Sequence, residues 1–248
     1  MTKPRREEDL DLGDVRIDDA CQRTVVLIGG KGSGKSTAIR QLMRVAQEKK
    51  LPVIAMDPTG ALISKDFNVI RVGHQYNQDQ IKVLLRVMRS LWKGKQALVL
   101  DVSDLTREEN SGFANEVFPE IFKYRDGMVM IDEVPEFVPQ FGAFKSEELI
   151  RFNRKCRNKN IGTVLATQRP ASVSKEVLAL GDLYLVFRVV HPPDRETVSK
   201  LFALHYEDKA EINQVVDEMS HFPAGSCRVV DFVQAGPARE TKGSADKR

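Results

Sequence analysis

Long apolar runs are the first thing missing from these 248 residues. None approaches the twenty or so residues that cross a bilayer, and the first twenty carry charges of both signs rather than a signal-like core. The expectation is a protein without a membrane span, located in the cytoplasm. Cysteine is scarce too. Cys21, Cys156 and Cys227 are odd in number and far apart, which argues against a disulfide framework and a zinc site. The four histidines, His74, His191, His205 and His221, lack ligand spacing. A net charge of +3 is too small to identify a nucleic-acid partner. With 42% hydrophobic and 29% charged residues, the chain has the proportions of an ordinary globular domain long enough for one large core.

The informative segment is Gly29-Gly30-Lys31-Gly32-Ser33-Gly34-Lys35-Ser36-Thr37. It follows the apolar run Thr24 to Ile28 and opens an amphipathic segment, so it sits at a strand-to-helix turn. Its glycines let successive backbone N–H groups point inward at a polyphosphate, and the helix that follows adds its positive end. Lys35 is expected to reach the outer phosphates, and the Ser36 hydroxyl to sit on Mg²⁺. ATP and Mg²⁺ are therefore the expected ligands of residues 29–37.

Strand candidates recur along the chain at Thr24–Ile28, Pro52–Asp57, Val69–Val72, Ala97–Val102, Met128–Asp132, Gly162–Thr167, Leu183–Val190 and Cys227–Phe232. Several are apolar without alternation, as expected for strands covered on both faces. Helical stripes lie between them, at Ala38, Ile39, Leu42, Met43 and Ala46, and at Ile81, Leu84, Leu85, Met88, Leu91 and Trp92. This alternation predicts an α/β fold with a doubly wound, mostly parallel sheet of the P-loop NTPase type. The P-loop domain is expected over 23–233, between a flexible charged arm at 1–22 and a disordered tail at 234–248.

Two further strands end in polar residues. Gly127 to Ile131 leads into Asp132 and Glu133, which places Asp132 on the Mg²⁺ shell and Glu133 as the base that polarises the attacking water. The rival Asp101 ends a similar strand but is followed by Val102; without a second carboxylate it suits a structural or capping role. Ile161 to Thr167 ends in Gln168, whose amide is placed to meet the terminal phosphate or the water, or else to cap the turn before Pro170. A basic stretch, Lys145 to Asn160, precedes that strand.

Taken together, GGKGSGKST, MVMIDE, RNKNIGTVLATQRP and LVFRVVHPPDRETVSKLF resemble the FtsK–HerA superfamily of hexameric DNA-pumping ATPases. Asp57-Pro58-Thr59-Gly60 is similar to the family's second-strand segment, and the match spans about Arg23 to Phe232. The resemblance implies the additional-strand, catalytic-glutamate type of fold, in which the Gln168 strand lies between the acid strand and the phosphate-loop strand. It also implies a head-to-tail homo-oligomeric ring, expected to be a hexamer, with ATP at subunit boundaries. Arg157 then matches the arginine that acts in trans, a task suited to a fixed, permanently charged fork. Arg151, Arg154 and Arg169 compete for that role, and Arg188 is a further contact to nucleotide or neighbour. The expected partner is double-stranded DNA, gripped without sequence preference through its backbone by the loops at 135–146 (with Phe137, Phe141, Phe144 and Lys145) and 169–175. The chain looks most like a stand-alone viral packaging ATPase, with a capsid vertex or another docking protein as a further partner. Conjugation- or chromosome-type translocation, and an ATP-switched assembly ATPase acting on a protein, are the alternatives.

Overall fold

The computed structural model describes residues 23–203 and 208–232, and the backbone of 239–241. The expected arm at 1–22 lies outside these residues. Within 234–248, expected as a tail, Arg239–Thr241 forms a strand; the other residues of that stretch lie outside the description.

The strands are β1 (Thr24–Ile28), β2 (Val53–Asp57), β3 (Asn68–Arg71), β4 (Ala97–Asp101), β5 (Gly127–Ile131), β6 (Ile161–Thr167), β7 (Leu183–Val186), β8 (Cys227–Asp231) and β9 (Arg239–Thr241). They form one sheet in the order β3-β4-β2-β5-β6-β1-β7-β8-β9. The pairs from β3 through β7 are parallel, and β8 and β9 add antiparallel strands at one side. As expected, β6 lies between the acid-bearing β5 and the phosphate-loop strand β1.

Successive side chains of the central strands enter two separate cores. In β1, Val25 and Leu27 join one while Val26 and Ile28 join the other; β2 divides Val53 and Ala55 from Ile54 and Met56 in the same way. Both faces are covered, so the strands read as continuous apolar runs instead of alternating ones. Helix α1 (Lys35–Glu48) packs Ala38, Ile39, Leu42, Met43 and Ala46 into one core. The other core takes α2 (Gln78–Lys93), α3 (Arg107–Ile121), α4 (Glu147–Lys155) and the short α5 (Lys175–Leu178), followed by α6 (Pro192–Phe202) and α7 (Lys209–Ser220). Among the described residues no helix is long and apolar enough to cross a membrane.

β7 ends earlier than the apolar run to Val190 suggested. After Val186 the chain leaves its ladder to run beside the phosphate loop, where the Gly30 N–H donates to the Arg188 carbonyl at 2.8 Å. Helix α3 carried no clear stripe in the sequence because Asn110, Ser111 and Glu120 are buried along with its apolar residues. Thr106 caps it, accepting from the Glu109 N–H at 3.3 Å while Glu109 accepts from the Thr106 N–H at 2.8 Å.

The start of β5 has no room to spare. A Cβ on Gly127 would stand 2.4 Å from a ring carbon of Trp92 and 2.8 Å from Pro52. Gly127→Ala should therefore destabilise the fold by about 1–3 kcal/mol through overpacking. Urea unfolding followed by fluorescence of Trp92, the single tryptophan, checks this; an unchanged midpoint would contradict it.

Candidate nucleotide and hydrolysis site

Residues 29–34 connect the carboxyl end of β1 to α1. Gly34, at the N-cap, has φ 113° and offers no side-chain cap, which leaves the first N–H groups of α1 for a ligand. Gly29 faces a different constraint: a Cβ there would lie 2.6 Å from the Phe187 Cβ. The loop is braced from both sides, by the Arg188 carbonyl on Gly30 and by the Gly225 N–H donating to the Ser33 carbonyl at 2.9 Å. Lys35 is buried and folds back, donating to the carbonyls of Gly29 (2.6 Å) and Gly30 (3.1 Å). Burial lowers its pKa, against the attraction of Asp132 and Glu133. Lys31 is exposed, Thr37 is half-buried, and the Ser33 hydroxyl is buried with no hydrogen-bond partner among the described residues.

The acid pair stands at the end of β5, beside this loop. Asp132 is 3% exposed and its N–H donates to the Met56 carbonyl at 3.0 Å. Its Oδ2 accepts from the Ser36 hydroxyl at 3.3 Å and lies 3.2 Å from the Thr59 hydroxyl. Burial, and then the negative Asp57, raise its pKa. Glu133 follows with φ 47°, a left-handed conformation that turns its side chain toward the tip of β6. There its carboxylate accepts the Gln168 N–H, with oxygens at 3.1 and 3.3 Å. Burial pushes the Glu133 pKa to about 7, opposed by that N–H and assisted by the charge of Asp132.

The site residues expected at 29–37, 132, 133 and 168 thus share one edge of the sheet. Asp101 does not join them: it accepts from Ser103 and from Arg71 Nε at 2.7 Å, the structural role its sequence suggested. Phe137 also departs from expectation. It is fully buried, whereas Phe141 and Phe144 of the same loop are 84% and 48% exposed.

The arginines divide between the two edges. Arg157 precedes β6 on a 3-10 turn at the opposite, amino edge and bonds Asp182 at 2.5 Å. The seven residues of β6 separate it from Gln168 by about 20 Å, so it cannot serve the site of its own chain. Arg154 pairs with Glu176, and Arg151 pairs with Glu148 at 3.2 Å. Arg169, bonded to Asp194 at 3.4 Å, lies beside the site and lines a cleft of about 270 Å³ with Glu133, Arg107 and Phe141.

Sequence reasoning gave no role to Asp57 or Thr59. The available signal was an apolar strand ending in an acid with a threonine two residues on, the pattern of a side-chain-closed turn.

The donors available to a cation are oxygens of Ser36 and Asp132, which suit a hard ion such as Mg²⁺. Asp132 and Glu133 are buried beside the buried ammonium of Lys35, and Asp57 stands close enough to Asp132 to raise its pKa, a crowding of acids that a divalent ion would offset. No cluster of three or more His, Cys, Asp or Glu with metal-holding geometry exists among the described residues.

Residues 14–102 match the family of type IV secretion-system coupling protein DNA-binding domains. No curated protein matches the chain in sequence. Among solved structures, the genome packaging NTPase B204 from Sulfolobus turreted icosahedral virus 2, in complex with ATP-gammaS, is 17% identical with a TM-score of 0.61 over 90% of this chain and 98% of that one. VirB4 of Thermoanaerobacter pseudethanolicus is 13% identical with a TM-score of 0.62, covering 90% and 89%. The bacterial conjugative coupling protein TrwB is 11% identical with a TM-score of 0.61, covering 92% and 86%. The fold is that of these P-loop NTPases.

The raised pKa of Glu133 has a consequence for stability. Its ordinary value is 4.5, so the folded chain holds this proton more tightly than the unfolded one, and stability falls as pH rises from about 4.5 to about 7. Glu133→Gln should therefore stabilise the nucleotide-free protein at pH 8 by on the order of 2 kcal/mol. The gain should shrink toward pH 4.5. Urea melts at the two pH values check this, and a variant no more stable than its parent at pH 8 would refute it.

Proposed function

We propose that this chain is an ATP-hydrolysing motor that translocates double-stranded DNA, and that it packages a viral genome into a capsid. The observation that carries the proposal is the convergence of the uncapped phosphate loop, Lys35, Asp132, Glu133 and Gln168 on adjoining strand tips. The likeness to B204 over nearly the full length of both chains supports the packaging form of the reading.

ATP seats its phosphates on the uncapped N–H groups at the start of α1, and Lys35 exchanges the Gly29 and Gly30 carbonyls for phosphate oxygens. Ser36 and Asp132 would hold Mg²⁺, which would offset charge on those oxygens. Glu133, once ionised, accepts a proton from the water whose oxygen attacks the γ-phosphorus, and the bond to the ADP oxygen breaks. Gln168 is suited to sense the change: its N–H holds Glu133, so a side-chain contact to the γ-phosphate would carry the loss of that phosphate to the base through one residue. Arg157, about 20 Å from its own site, fits a neighbour's site in a head-to-tail ring, expected to be a hexamer. The loop at 135–146, with Phe141 exposed beside Glu133 and Phe144 exposed further along it, fits a contact to the DNA backbone. A capsid-vertex protein is the expected docking partner. The coupling-protein match over 14–102 favours conjugative transfer as the second reading.

Long duplex DNA should stimulate ATP hydrolysis severalfold; an equal rate with and without it would leave an ATP-switched assembly factor as the better account. Glu133→Gln should keep ATP binding while lowering turnover at least a hundredfold. In the parent, kcat/KM should rise with pH through about 7 as Glu133 ionises, and a flat profile from pH 6 to 8 would remove it as the base. In mixtures, Arg157→Ala should depress the activity of parental subunits, measured as a loss steeper than proportional to its fraction.

A further inference from the structure

β2 ends in Asp57, a fully buried carboxylate at the carboxyl edge of the sheet. Its Oδ1 accepts from the Thr59 N–H at 3.0 Å, the Thr59 hydroxyl at 3.0 Å and the Ala61 N–H at 3.2 Å, and its Oδ2 accepts from the Leu62 N–H at 2.7 Å. Arg40 of α1 grips the same turn from the other side. Its guanidinium donates to the Ala61 carbonyl at 2.7 Å and to the Thr37 hydroxyl at 3.4 Å. The turn is therefore fastened both to its own strand and to the helix that follows the phosphate loop.

The result is a hydroxyl in a particular place. Thr59 Oγ1 lies 3.2 Å from Asp132 Oδ2, the same oxygen that the Ser36 hydroxyl reaches at 3.3 Å. One hydroxyl carries one proton, so Thr59 cannot donate fully to Asp57 and to Asp132 at once. A turn needing only closure has its Asp57 bonds to the Ala61 and Leu62 N–H groups without this hydroxyl. What the second contact adds is a hold on the one carboxylate oxygen that Ser36 also addresses.

We infer that Thr59 is a positioning residue for the cation–nucleotide site, fixing Asp132 Oδ2 toward a divalent ion, and that the Asp57-centred turn exists to present it. The inference rests on the ATPase reading above. Outer-shell partners of metal-binding carboxylates contribute ten- to a hundredfold in metal affinity. Thr59 itself is exposed, so it can be altered without opening the core.

The test is binding of a fluorescent non-hydrolysable ATP analogue, titrated with Mg²⁺ and repeated in EDTA, for the parent, Thr59→Val and Thr59→Ser. Thr59→Val keeps the shape and removes the hydroxyl; it should need about ten- to a hundredfold more Mg²⁺ for half-maximal binding. Thr59→Ser should follow the parent, and affinity in EDTA should be equal for all three. A Thr59→Val protein with the parental Mg²⁺ requirement, or a Thr59→Ser protein as impaired as Thr59→Val, would overturn the inference and leave Thr59 as a turn residue. A parent that binds no analogue with Mg²⁺ would instead overturn the ATPase reading, and this inference with it.

Discussion

The in-register parallel pairing of β5, β6 and β1 is the constraint on which the rest depends. Ile131 lies opposite Leu165, and Ile28 opposite Thr167. The residues that follow therefore leave the sheet along one line: Glu133 meets the Gln168 N–H, and the Gly29 N–H donates to the Thr167 carbonyl at 3.2 Å. These groups come from segments more than thirty residues apart in the chain, and only the ladder makes them neighbours. Because each strand is apolar on both faces, a slip in register would leave polar tips buried and apolar residues at the edge.

The site so formed works against the stability of the unliganded fold. Asp132 and Glu133 are buried beside one buried ammonium, with Asp57 next to Asp132, and α1 begins with uncapped N–H groups. Lys35 meets this by folding onto the carbonyls of Gly29 and Gly30. Such an arrangement is incomplete in a specific sense: it offers donors for phosphate oxygens and an excess of negative charge for a cation. Sites that sacrifice stability for a ligand's sake are a common feature of functional surfaces.

The two edges of the sheet have different chemistry. Phosphate-binding and acidic groups occupy the carboxyl edge, whereas Arg157 stands at the amino edge and reaches Asp182. The length of β6 keeps them apart within one chain, where Arg107 and Arg169 are the arginines that line the cleft beside Glu133. A head-to-tail arrangement would bring the amino edge of one copy to the carboxyl edge of the next.

Much of this was legible beforehand. The run Thr24–Ile28, the glycine pattern after it and the acids after Ile131 are local signals, set by what a strand, a tight turn and a polyphosphate require of consecutive residues. The two-sided burial of the sheet was readable for the same reason. Other features left no local trace. Helix α3 buries polar residues among apolar ones, so no stripe marked it; Phe137 looked like Phe141 until packing hid it; and Arg239–Thr241 became a strand only by pairing with β8. By itself the sequence determined the kinds of groups present and the elements that carry them, because backbone sterics and side-chain chemistry act within a few residues. Which carboxylate faces Lys35, which N–H holds Glu133 and which threonine reaches Asp132 were decided by tertiary structure alone, since those contacts join strands that only the folded sheet sets side by side.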